Sequence, residues 1–93
     1  MDKNVIAKIC NYFKDKPVLK AYLFGSEARN EASTDSDVDI LIELDHSKPV
    51  GLKYIKMQLE LENILHRHVD LVSKPSKYIM PRINKEKILI YEK

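Results

Sequence analysis

Hydrophobic positions along the chain recur with two periods, and the places where one gives way to the other mark out its elements. Residues 2–15 set Val5, Ile6, Ile9, Cys10 and Phe13 on one helical stripe, with lysines and asparagines elsewhere; Asp2 or Asn4 would cap this helix and Pro17 would stop it. Residues 18–24, Val-Leu-Lys-Ala-Tyr-Leu-Phe, are apolar and partly β-prone and predict a central strand. A short helix over 26–31 and a polar loop over 32–36 lead into a strand at 37–44. There alternation gives Val38, Ile40, Ile42 and Leu44 one face and Asp37, Asp39, Leu41 and Glu43 the other.

Turn-forming residues from Asp45 to Gly51 separate this strand from a helix over 51–66. At 100° per residue that helix carries two apolar stripes, Leu52, Ile55 and Leu59 on one side and Tyr54, Met57, Leu61, Ile64 and Leu65 nearly opposite. One stripe is expected to pack on the sheet. The other is either covered by a neighbouring helix or left as a protein-docking surface, for which Met57 and Leu61 are the candidates. A strand over 66–73 follows, with Val69 and Leu71 on one face and Asp70 and Val72 on the other, and Pro75 ends it. Residues 76–86 are expected to contain a helix with Pro81 in its first turn, and 88–91 to add a short strand or packed tail. The fold class is therefore α/β (α+β): a small mixed sheet of three to four strands with flanking helices, in the order αβαβαβα.

Composition narrows the function classes. A chain of 93 residues is one domain, with no room for a second catalytic lobe. Lys and Arg number 16 against 14 Asp and Glu, and this net +2, scattered along the chain, does not predict direct nucleic-acid binding. A single cysteine excludes an internal disulfide, and Cys10, on an apolar stripe, is expected to be buried as a small hydrophobe. The N-terminus lacks the apolar core of a signal peptide, and no apolar run reaches the roughly 18 residues of a membrane span, so a cytoplasmic protein is expected.

The chemistry is concentrated in three places. Gly25-Ser26 ends an apolar strand, where glycine lets the backbone approach a ligand and the following helix N-terminus favours an anion. Asp37-x-Asp39 puts two carboxylates on one strand face, which suits Mg²⁺ held jointly with substrate phosphates. Asp70 interrupts an apolar strand, where a charge is costly unless paired or metal-bound, and invites a role as third metal ligand. Each has a plainer explanation: Ser26 as an N-cap, Asp-x-Asp as a solvated strand edge, Asp70 as a surface residue on an edge strand. His66 and His68 would share a face if their strand began early, but no third ligand accompanies them and a zinc site is not expected. The Gly-Ser and Asp-x-Asp motifs meet in space only if their two strands run antiparallel.

Leu23-Phe24-Gly25-Ser26-x-Ala28-Arg29, Ser36-Asp37-x-Asp39 and His68-Val69-Asp70-Leu71-Val72, taken together, resemble the nucleotidyltransferase fold of the DNA polymerase β superfamily. Within it the chain is similar to the minimal nucleotidyltransferase antitoxins of HEPN/MNT toxin–antitoxin modules. The resemblance implies that Gly25 and Ser26 hold the triphosphate of ATP, with Arg29 touching phosphate or ordering the loop. It implies that Asp37 and Asp39 bind two Mg²⁺ ions, and that Asp70 completes the catalytic metal site and accepts the proton of the attacking hydroxyl. Asn30 stands where relatives often carry glycine, and Glu27 where a basic or neutral residue is common. The implied activity is transfer of AMP to a tyrosine of a partner HEPN RNase toxin, in a hetero-oligomer with it. Nucleotidylation of a small molecule such as an aminoglycoside, or inhibition of the toxin by binding alone, are the alternatives.

Overall fold

The computed structural model describes residues 3–28, 37–47 and 49–93, without the side chains of Ser26 and Glu27. Eight elements run in the order α1 (Lys3–Phe13), β1 (Val18–Phe24), α2 (Gly25–Ala28), β2 (Val38–Leu44), α3 (Lys53–Leu65), β3 (Val69–Val72), α4 (Met80–Glu86) and β4 (Ile88–Glu92). The expected alternation holds, and the C-terminal segment is a fourth strand. The strands form one sheet in the order β3-β2-β1-β4. β1 is antiparallel to both of its neighbours, whereas β2 and β3 are parallel, so the sheet is mixed.

The parallel pair needs a crossover, and α3 supplies it, because strands that run the same way cannot be joined by a tight turn. One face of the sheet is covered. Ile9 and Phe13 of α1 and Met57, Leu61 and Leu65 of α3 pack on Ala21, Leu23, Val38, Ile40, Ile42, Val69 and Leu71 in a single core cluster. Burying each large side chain of this kind contributes about 1.5–3 kcal/mol. The Phe13 ring centroid lies 6.1 Å from that of Tyr91, and Tyr12 donates a 2.6 Å hydrogen bond to Glu60, so α1 is fastened both to β4 and to α3. Leu41 and Ile83 are buried as well but stand outside that cluster.

Several expectations are revised. α1 ends at Phe13, ahead of Pro17, where Lys16 N–H bonds back to Phe13 O. Cys10 is half-buried and donates its thiol to Ile90 O at 2.9 Å, and burial pushes that thiol above its ordinary range. The docking surface expected at Met57 and Leu61 is not available: both are fully buried against the sheet. The exposed stripe of this helical segment is the opposite one, Leu52, Ile55 and Leu59, because only one side of α3 can face β2 and β3. β3 begins at Val69, too late for His66 and His68 to share its face; His66 instead ends α3 in the left-handed region at φ 55°. Asp2, Arg29, Asn30, the 32–36 loop and Ser36 lie outside the described residues.

Candidate active site

Three strand ends converge where β1 stops and β2 and β3 start. In the antiparallel β1–β2 ladder Phe24 is the partner of Asp39, which brings the Gly-Ser turn beside the Asp-x-Asp motif as the sequence required. In the parallel β2–β3 ladder Asp39 is the partner of Asp70. The three residues form a row across neighbouring strands, and paired residues point to the same face. Val38, Ile40, Val69 and Leu71 go down into the core, so Asp39 and Asp70 go up, away from α1 and α3. Asp39 is half-buried; Asp70 and Asp37, the latter one residue before β2, are exposed.

Gly25 is required here twice over. Its φ is +70°, in the left-handed region that side chains disfavour. A Cβ built on it would lie 2.2 Å from Asp39 Oδ2, so the absent side chain is what admits the carboxylate. The turn of β1 into α2 and the aspartate of β2 are thus in direct contact. Ser26 sits in the first turn of α2, next to that contact.

Two glutamates hold this end of the sheet. Glu62, in the last turn of α3, accepts the Val69 N–H at 3.0 Å and lies 2.7 Å from His68 Nδ1, while His68 O accepts the Val38 N–H at 2.9 Å. Tyr54, in the first turn of the same helix, donates its hydroxyl to Leu71 O. β3 is an edge strand of four residues, and these contacts clamp it on either side of Asp70. Glu86, the last residue of α4, accepts the Gly25 N–H at 3.2 Å. Neither glutamate belongs to a recognisable motif. Position offers only a weak signal: a carboxylate in the last turn of a helix opposes the helix dipole.

Farther along the same face, Tyr22 donates to Glu43 at 3.0 Å and carries Lys87 Nζ 4.5 Å above its ring. Burial, then the Glu43 hydrogen bond, raise the Tyr22 phenol above its ordinary value.

The donor set fits a hard cation. Carboxylates set directly across two strands, whose backbones are about 4.8 Å apart, repel each other, and a divalent ion between them reverses the sign of that interaction. Oxygen-only donors suit Mg²⁺ rather than zinc. Among the described residues no three His, Cys, Asp or Glu side chains are gathered closely enough to hold an ion unaided. Mg²⁺ ordinarily takes only one or two protein carboxylates and completes its shell from substrate phosphates and water.

The chain has recognisable relatives. Residues 6–92 match the nucleotidyltransferase domain family. A provisionally named protein adenylyltransferase of Methanocaldococcus jannaschii is 39% identical over 96% of this chain and 92% of its own length. The fold superposes with a TM-score of 0.79 on a chain from a toxin–antitoxin complex with AMP-PNP, at 21% identity over 95% of this chain and 73% of that one. A chain from the complex of the tri-AMPylated HEPN toxin of Shewanella oneidensis with its MNT antitoxin gives 0.75 at 20% identity, over 100% of this chain and 74% of that one. With nearly its whole length matched, the chain belongs to the nucleotidyltransferase domain family.

Proposed function

We propose that this chain is a single minimal nucleotidyltransferase domain that serves as a cytoplasmic antitoxin, transferring AMP from ATP to a tyrosine hydroxyl of a partner HEPN toxin. The observation that carries the reading is the juxtaposition of Gly25, Asp39 and Asp70, which sets the glycine turn beside two facing carboxylates. The chain's relatives, protein adenylyltransferases and an antitoxin in complex with an AMPylated toxin, support the acceptor class.

Gly25, which lets the backbone come close, and Ser26, with the N–H groups that follow Gly25 in the turn, would bind the triphosphate, with Arg29 beside them. Asp37, Asp39 and Asp70 would hold the two Mg²⁺ ions, which when bound neutralise phosphate charge at the reacting centre. The tyrosine oxygen forms a bond to the α-phosphorus, the bond from that phosphorus to the bridging oxygen breaks, and pyrophosphate leaves. Asp70, exposed at the rim, would take the tyrosine proton. Asp70 and Asp37 are exposed, which leaves them accessible to an acceptor carried on another protein. No direct contact with nucleic acid is part of this reading.

Intact-protein mass spectrometry of the toxin after incubation with ATP and Mg²⁺ tests it, beside an Asp37→Ala/Asp39→Ala control. AMP-sized increments on the toxin that vanish in the control are expected. An unmodified toxin still bound and silenced would replace transfer with inhibition by binding.

A further inference from the structure

Glu86 has no place in the reaction as written, yet it is tied to the centre of the site. Its side chain is about four-fifths buried, at 19% exposure, and one oxygen accepts the Gly25 N–H at 3.2 Å. The other lies 3.7 Å from Arg82 Nε, one helical turn back on α4. Gly25 therefore stands between two carboxylates, Glu86 on its amide and Asp39 against its Cα. The same device appears on β3, where Glu62 at the end of α3 accepts the Val69 N–H one residue before Asp70. A helix C-terminus is the least favourable end for a carboxylate, so each glutamate gives up dipole stabilisation to hold a backbone amide.

Resting on the reading above, we propose that Glu86 is a positioning residue for nucleotide binding: it locks the Gly25 peptide so that the α2 turn and the Asp39 carboxylate present the phosphate and metal sites in one geometry. A glycine at φ +70° is free to take other conformations, and nothing in its own side chain resists this. An acceptor fixed on α4 removes that freedom. A glutamate rather than an apolar residue is needed because the Gly25 N–H, at the head of a four-residue helix, has no intrahelical partner. What the site takes from Glu86 is the acceptor, so glutamine, which keeps a carbonyl oxygen at the same reach, should stand in for it.

Three variants of the full chain test this: Glu86→Ala, Glu86→Gln and, as control, Arg82→Ala, which removes the ion pair and leaves the Gly25 contact. Amide hydrogen exchange at Gly25 is read by NMR without nucleotide, and binding of Mg²⁺ with AMP-PNP by calorimetry. Leaving the Gly25 N–H without its acceptor predicts exchange and dissociation constant both rising about tenfold or more in Glu86→Ala. In Glu86→Gln and Arg82→Ala both should stay within about threefold of wild type, as expected when the acceptor is kept. Unchanged exchange or unchanged binding in Glu86→Ala overturns the proposal, and so does a Glu86→Gln as impaired as Glu86→Ala, which would make charge the important property. If wild type transfers no AMP to the toxin, the functional reading fails while the exchange and binding comparisons still decide the role of Glu86.

Discussion

The two faces of β2 divide the work of the molecule between alternate residues of one strand. Val38, Ile40 and Ile42 point into the helices and are fully buried, so what they contribute is stability. Asp39 points the other way, between the Gly25 turn and Asp70, and two like charges directly across a ladder oppose each other. Neighbouring positions about 3.3 Å apart along the strand thus carry opposite energetic signs. The favourable face makes the unfavourable one tolerable, and a site that costs stability must be anchored on a strand that supplies it.

The sharpest way to separate the faces is Asp70→Asn. Transfer to the toxin, measured by mass spectrometry, should fall at least about a thousandfold, since metal-held charge supplies several kcal/mol at the transition state. Thermal unfolding of the metal-free protein should move the other way, with a gain of about 0.2–1 kcal/mol from relieved repulsion. Ile40→Ala is its mirror image: a loss of about 2–5 kcal/mol in urea unfolding, with nucleotide affinity per folded molecule unchanged. Gly25→Ala crosses the division, because the new Cβ meets Asp39 while the backbone is strained. It should lower stability by about 1–3 kcal/mol and weaken AMP-PNP binding in calorimetry.

Smaller effects sharpen the covered side. Tyr12 joins α1 to α3 through Glu60, and burial, then that hydrogen bond and the Glu60 charge, push its phenol well up from its ordinary 10.0. The folded protein holds this proton more tightly than the unfolded chain, so the contribution is complete below pH 10.0 and fades as pH climbs toward the raised folded value. Tyr12→Phe should cost about 1 kcal/mol at neutral pH and flatten the alkaline fall of the melting temperature. Ile55→Ser, on the exposed side of α3, should change stability by less than about 0.5 kcal/mol in the same melts.

How far the sequence could be read follows the same division. The β1 boundaries were legible to the residue, and the alternation in β2 named its buried face, because a period of two leaves little choice once one face is apolar. Leu41 departs from that pattern: it lies on the carboxylate face and is nonetheless buried. The two stripes of α3 were visible, but which one is covered was not. Periodicity gives the angle between stripes and says nothing of where the sheet lies, so Met57 and Leu61 were assigned to the wrong side of the helix. Gly25, Asp39 and Asp70 were recognisable as residues suited to phosphate and metal. Glu62 and Glu86 were not, since a lone glutamate late in a helix usually means only a solvated face.

By itself the sequence determined the elements and the local chemistry: hydrophobic period sets helix or strand, and a Gly-Ser turn or an Asp-x-Asp pair has its chemical character wherever it lies. Only the tertiary structure decided that Phe24 and Asp70 flank Asp39, which strands are the edges, and that glutamates from two helix ends close on the site. The reason is range. Local geometry is dictated within a few residues, but contacts such as Gly25 with Glu86, 61 residues apart, exist only once the whole sheet has chosen its strand order.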